Sequence, residues 1–160
     1  MLYILIVIAI AFLDTKIKDY MEANKQLGEH QEILEGKVTI QKYYNRGVFL
    51  NFLEDKKEKV KTVSCVILSL FLLLFAIVLP KKGRKLFKLG LAFTLGGAIS
   101  NVTDRFTRGY VVDYFSINYK KLKGVVFNLA DMFIFLGSVL IMLSTVFSTK
   151  GKGCSNESAK

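Results

Sequence analysis

Apolar positions along this chain fall into four blocks with polar stretches between them. The first, Leu2 to Leu13, is unbroken over twelve residues. That length of helix rises only about 18 Å, against a bilayer core of about 30 Å. The pattern therefore predicts a helix that runs on through Asp14 and Lys18 to about residue 20. Ala9-Ile10-Ala11 has the small-x-small form of a leader cleavage site, but no positive region precedes the run. A second block, from Thr62, ends at Leu79 with Pro80 as a stop signal. A third runs from about Leu86 to Thr103, and in it Ala92, Gly96 and Ser100 form a small-xxx-small stripe suited to close helix contact. The fourth runs from Gly124 to Phe147. The expected architecture is a membrane α-helical protein with four transmembrane helices near 2–20, 62–80, 86–103 and 124–147.

Two longer polar segments, 21–61 and 104–123, separate these blocks. Lys37 to Tyr44 alternates and is β-prone, between Gly36 and Asn45-Arg46-Gly47. It predicts a small β-hairpin or cradle. Val48 to Leu53 is apolar but too short to span, and is expected to lie on the membrane. Glu54 to Lys61 is charged and suits a helix start. Tyr110 to Phe115 reads as extended. Residues 1–149 are expected to form one domain, and 150–160 a disordered basic tail.

Composition adds orientation. Hydrophobic residues make up 52% of the chain, close to the 45–50% or so of soluble domains, so distribution rather than total points to the membrane. The net charge of +10 suits basic loops beside membrane spans, and no basic stripe interleaved with aromatics suggests nucleic acid. Lys81, Lys82, Arg84, Lys85 and Lys88 form a short loop without acids. That loop belongs in the cytoplasm. Both termini are then cytoplasmic, and 21–61 and 104–123 lie outside. Lys120, Lys121 and Lys123 in the second outer segment run against this rule without reversing it. Cys65 and Cys154 form no plausible pair, and His30 is alone, so neither a disulfide nor a protein-built metal site is expected, nor any cofactor.

The candidate chemistry sits at one face. Asn101 and Asp104 close the third block, and Asn128 and Asp131 open the fourth with the same spacing. On a helix each pair would point an amide and a carboxyl in one direction. Asp113 lies between them, and Asp14 and Lys18, four apart on the first helix, reach the same side. The Asp14–Lys18 pair reads equally well as an interfacial ion pair or as part of this junction. Carboxyls within a membrane protein are costly and are functional candidates. Two of them in a low-dielectric site share a proton, one taking a proton from water and the other polarising a carbonyl. Asp113 and Asp131 form the best dyad. Arg105, next to Asp104, is expected to neutralise it and leave it a supporting role.

These residues carry a resemblance. Asp14-x-x-x-Lys18, Asn45-x-Gly47, Asn101-x-x-Asp104-Arg105, Gly109-Tyr110-Val111-Val112-Asp113-Tyr114 and Phe127-Asn128-x-Ala130-Asp131 together resemble the lipoprotein signal peptidase (signal peptidase II) family of bacterial inner-membrane aspartyl peptidases. The likeness covers nearly the whole chain to about residue 147. It implies four transmembrane helices with an extracytoplasmic β-cradle. It implies removal of signal peptides from prolipoproteins by cleavage just before a diacylglyceryl-modified cysteine, with Asp113 and Asp131 as the dyad. Asn45, Asn101, Arg105 and Asn128 would orient substrate or dyad, with Asp14, Lys18, Gly47, Asp104 and Ala130 in the same motifs. The chain departs from the family at Val48-Phe49-Leu50, where two small residues and Phe are usual, and at Tyr114, where Phe is usual. The first departure bears on substrate preference.

The implied partners are prolipoprotein substrates with a diacylglyceryl cysteine and membrane lipid, not nucleic acid, with the protein acting as a monomer. Two other readings compete. One is a proton-coupled carrier using Asp104 and Asp131 as a relay, for which four spans without inverted repeats are few. The other is a non-catalytic lipoprotein-binding homologue, against which the intact dyad argues.

Overall fold

In this computed structural model, residues 1–47, 57–119 and 124–153 are described. They form helices α1 (Leu2–Asn24), α2 (Lys57–Val78), α3 (Lys85–Thr107) and α4 (Leu129–Gly153). Four strands lie between them: β1 (His30–Ile33), β2 (Val38–Asn45), β3 (Val111–Ile117) and β4 (Val126–Phe127). Helices α2, α3 and α4 are long and apolar enough to cross a membrane. The segment Val48 to Leu53, the first residues of the charged run Glu54 to Lys61, the lysines at 120, 121 and 123, and residues 154–160 of the expected tail lie outside the described residues. Helix α4 itself continues to Gly153, into the stretch read as tail.

Helix α3 is the axis of the bundle and packs against α1, α2 and α4. Over its most apolar stretch 56% of residues are buried, against 11% for α2 and for α4. Its sequence fits that place: it is rich in Gly, Ala, Ser and Thr, which let neighbouring backbones come close where lipid gives no hydrophobic drive to associate. A Cβ at Gly96 would lie 2.7 Å from Ile10 Cβ of α1, and one at Gly90 would lie 2.8 Å from the Gly137 carbonyl oxygen of α4. The Ala92–Gly96–Ser100 stripe thus meets α1, as its spacing suggested, while Gly90 and Gly97 meet α4.

The bundle is polarised along its length. Val7, Phe75, Val78, Leu91, Ala92 and Leu95 form an apolar core at one end. At the other end the four strands make an antiparallel sheet in the order β1-β2-β3-β4. Tyr43 of β2 stands opposite Asp113 of β3, and Asn45 opposite Val111, with a register shift between Ile40 and Tyr43. The face carrying Val112 and Tyr114 packs on Met21 and Ile17 of α1. Glu22 fastens this seam, accepting from Tyr44 at 3.0 Å and from Tyr110 at 3.2 Å.

Two expectations about boundaries change. Strand β1 went unread because all four of its residues are exposed, so no alternation marks it. The apolar pattern predicts a fourth helix from Gly124, but Val126 and Phe127 pair with Ser116 and Phe115 as strand β4. Short apolar runs do not distinguish strand from helix by periodicity, and here the open edge of β3 takes the backbone first.

Candidate active site

Asp113 lies in β3, between α3 and α4 in the chain, and is 1% exposed. Its carboxylate accepts Asn128 Nδ2 at 2.6 Å on one oxygen and Asn45 Nδ2 at 3.1 Å on the other. Burial, reinforced by the neighbouring negative charge of Asp131, pushes the carboxyl up to about 7, while the two amide donors pull it back. Asp131, in the first turn of α4, accepts Asn101 Nδ2 at 3.0 Å.

Asn128 joins the two acids. Its side-chain oxygen accepts the Asp131 backbone N–H at 2.9 Å, and its own backbone N–H donates to Asp131 Oδ2 at 3.3 Å. This reciprocal pair is a capping box, in which the residue before a helix and the third residue within it satisfy each other's amides. The N-x-x-D spacing here is thus a helix start, not two positions sharing a helical face. Asn128 then has its Nδ2 free to reach across to Asp113. The earlier pair, Asn101 and Asp104, does lie within a helix, α3. One spacing therefore serves two local structures.

Behind these two acids lies a second cluster with no exposed surface at its centre. Lys18 and Asp14 are each fully buried and 2.7 Å apart. The pair therefore belongs to the junction and is not an interfacial pair at a helix end. Lys18 Nζ also lies 3.1 Å from Asp104 and donates to Asn101 Oδ1 at 2.8 Å. A buried lysine persists only where such partners replace water. Asp14 is fully engaged: Oδ2 accepts from Ser100 at 2.6 Å, and Oδ1 from Tyr114 at 3.0 Å and from the Ala130 N–H at 3.2 Å.

The partner of Asp104 differs from the expected one. Lys18 and Arg108, the latter at 3.6 Å, neutralise it, and its Oδ2 accepts the Val112 N–H at 3.2 Å, tying α3 to β3. Arg105 instead donates to the Asn101 carbonyl at 3.2 Å and to the Gly47 carbonyl at 3.0 Å. The reason is angular: neighbours on a helix point about 100° apart, so Arg105 faces the loop after β2. There Gly47 N–H donates to Asn45 Oδ1 at 3.1 Å, which sets the Asn45 amide toward Asp113. Arg105 Nε has no partner among the described residues.

Each of Asp14, Lys18, Asn45, Gly47, Asn101, Asp104, Arg105, Asp113, Asn128, Ala130 and Asp131 is thus linked to the same junction by the hydrogen bonds above. The hydroxyls of Ser100 and Tyr114 and the guanidinium of Arg108 also join this network, which their positions in the motifs do not predict. For Ser100 and Arg108 a signal exists: each is four residues from Asp104, Ser100 within α3 and Arg108 at its C-cap, about one turn away on the same face.

A family model described as signal peptidase (SPase) II matches residues 6–147. The chain belongs to the signal peptidase II family. It is 31% identical over 155 residues to a lipoprotein signal peptidase of Listeria welshimeri, covering 94% of this chain and 99% of that one. It is also 31% identical over 157 residues to a lipoprotein signal peptidase of Shewanella sp. strain MR-4, covering 97% of this chain and 92% of the relative. A solved bacterial membrane enzyme shares the fold, with a TM-score of 0.82 at 23% identity over 94% of this chain and 90% of its own. Membership of the signal peptidase II family makes the chain a peptidase, and its apolar helices suit a bacterial membrane protein.

Proposed function

We propose that this chain removes signal peptides from prolipoproteins by aspartyl chemistry, with Asp113 and Asp131 as the dyad. The observation that carries the reading is Asn128. One side chain reaches the carboxylate of Asp113 and the backbone of Asp131 together. This holds the two acids in register across a strand and a helix start.

Asp113, raised to about 7, holds the shared proton near neutral pH, and Asp131 is the ionised partner. Water attacks the scissile carbonyl and gives a proton to Asp131, while Asp113 protonates the carbonyl oxygen. As the tetrahedral species collapses, Asp131 passes its proton to the leaving amine and Asp113 recovers its own from the hydroxyl. No covalent intermediate forms. Asn45 and Asn101 orient the carboxyls, and Arg105 holds the loop after β2 through the Gly47 carbonyl.

The leaving amine in this reading is that of a diacylglyceryl cysteine, and the acyl chains lie against apolar helix faces. Each buried CH₂ contributes about 0.8 kcal/mol. The scissile region must be unwound, because a helix keeps its carbonyls in internal hydrogen bonds. The sheet beside the dyad offers strand-like pairing to such a peptide.

We place α1 in the membrane as a fourth span. Its 23 residues rise about 34 Å. Asp14 and Lys18 turn inward, while Leu2, Leu5, Ile8, Phe12 and Leu13 face outward. The sheet and dyad then lie at the outer face of a bacterial cytoplasmic membrane, both termini are cytoplasmic, and residues 1–149 act as one monomeric unit.

The test is cleavage by purified protein of matched prolipoproteins with and without the diacylglyceryl group, read as a gel shift. Cutting of the lipidated form alone is expected, and equal kcat/KM for the two would refute the lipid-anchored reading. Asp113→Asn and Asp131→Asn should each lower kcat by about 10²–10⁴-fold with expression intact. Near wild-type cutting by either would refute the dyad.

A further inference from the structure

Tyr114 follows Asp113 in β3, so the two side chains leave opposite faces of the strand. Asp113 turns to Asn45 and Asn128. Tyr114, 6% exposed, turns instead to α1 and to the start of α4. Its hydroxyl donates to Asp14 Oδ1 at 3.0 Å and accepts the Leu129 backbone N–H at 2.8 Å.

Leu129 is the first residue of α4. The opening N–H groups of any helix have no partner within it and must find one outside. Here three in succession are taken, each by a different residue. Tyr114 of β3 takes Leu129, Asp14 of α1 takes Ala130, and Asn128 takes Asp131. Asp131 therefore rides on a turn clamped from outside, and the phenol hydrogen-bonds the strand of one acid to the helix turn of the other on the side away from Asn128. The phenol also uses its donor and its acceptor at once, so neither bond can be kept without it.

We propose that the Tyr114 hydroxyl is a positioning group for the dyad, fixing the first turn of α4 so that Asp131 stays in register with Asp113. The inference rests on the aspartyl reading above. It gives the tyrosine a role that a phenylalanine of the same shape cannot fill, because the ring can pack but cannot accept the Leu129 N–H or donate to Asp14.

Tyr114→Phe tests it, with Tyr110→Phe as the control. The latter removes a hydroxyl that bonds Glu22 at the outer seam and leaves α4 alone. Both are assayed on the lipidated prolipoprotein for kcat and KM across pH. Tyr114→Phe should lower kcat about tenfold, the worth of a buried hydrogen bond to a charged group, with KM within twofold. Its alkaline limb should move to lower pH, because a loosened turn admits water and lets the Asp113 carboxyl fall back toward the ordinary range. Asp131 from α4, Lys18 from α1 and Arg105 from α3 are the charged groups acting on Asp113, and the substitution removes none of them. Tyr110→Phe should keep kcat within twofold and the profile unmoved. Unchanged kcat in Tyr114→Phe would overturn the inference. So would a loss that only tracks the folded fraction, measured by thermal unfolding, with an unmoved pH profile. Either result would leave the dyad standing so long as Asp113→Asn and Asp131→Asn remain inactive.

Discussion

Lys18 Nζ lies 2.8 Å from Asn101 Oδ1, and this contact decides which end of the Asn101 amide faces Asp131. An ammonium can only donate, so the amide oxygen must turn to it. The amide nitrogen then points to Asp131 Oδ1 at 3.0 Å. A buried cation on the first helix thereby sets a hydrogen bond to an acid on the last. Lys18→Met should destabilise the protein by about 3–5 kcal/mol, because Asp14 would remain buried without its cation and Asp104 would keep only Arg108. Thermal unfolding in detergent measures it. Asn101→Ala leaves Lys18 its two carboxylates, and should fold yet lose about 10–100-fold in kcat, the range for a hydrogen bond to a charged group. Full activity in Asn101→Ala would show that the amide does not serve Asp131.

The pH dependence follows from Asp113. Its carboxyl is raised from an ordinary 3.8 to about 7, with burial the largest cause. The folded state therefore holds a proton that the unfolded chain has released. Between the two values folding binds protons, so this group's contribution to stability falls as pH rises from about 4 to about 7. Activity that needs protonated Asp113 should fall along the same alkaline limb, near pH 7. Asn45→Ala removes a donor that favours the charged form. Its alkaline limb should move to higher pH, though its rate is lower. A limb that moves down, or stays, in a kcat/KM profile would contradict the assignment.

Much of this site was legible because membrane burial makes polar residues rare and therefore conspicuous. Asp14, Lys18, Asp113 and Asp131 stand out against apolar neighbours; the first three are buried, Asp131 is half-buried, and all belong to one network. Side-chain direction was less legible. Arg105 follows Asp104 in sequence but turns to Gly47, and Asp104 takes its cation from α1. That pairing depends on how closely α1 and α3 pack, which no local spacing encodes. The capping box at Asn128 was misread for a related reason. A pair three apart fits both a helical face and a helix start, and only the strand β4 before it separates the two. Strand β1 could not be read, because a fully exposed edge strand carries no alternation.

Orientation in the membrane can be checked by labelling. With Cys65 and Cys154 replaced, a cysteine at Lys82 should react with an impermeant maleimide only from the cytoplasmic side. One at Glu32, exposed in β1, should react only from outside. Ser116 is a poor reporter for the outer face because it is buried and accepts from Gln41 at 3.1 Å. Reversed labelling at both positions would overturn the charge-based topology.

The depth of Asp131 depends on a residue with no side chain. Gly97 of α3 faces the first turn of α4, and a Cβ there would lie 2.4 Å from the Ala130 carbonyl oxygen. No real Cβ tolerates that distance to backbone, so Gly97→Ala must push α4 outward beside the proposed dyad. Gly96 is its neighbour but faces α1, where the clash would be with Ile10 and Val7. The two substitutions cost similar packing, each about 1–3 kcal/mol for overfilling a close contact, yet they press on different helices. Gly97→Ala should lower kcat at least tenfold, because a 1 Å displacement of a reacting group can cost about 10²-fold. Gly96→Ala acts two turns of α1 away from Lys18 and should show mainly in thermal stability. Measuring kcat and unfolding temperature for both variants separates the effects. Equal loss of activity per degree of lost stability would mean that Gly97 serves packing alone, and a selective loss of kcat in Gly97→Ala would show that the α3–α4 contact sets the position of Asp131.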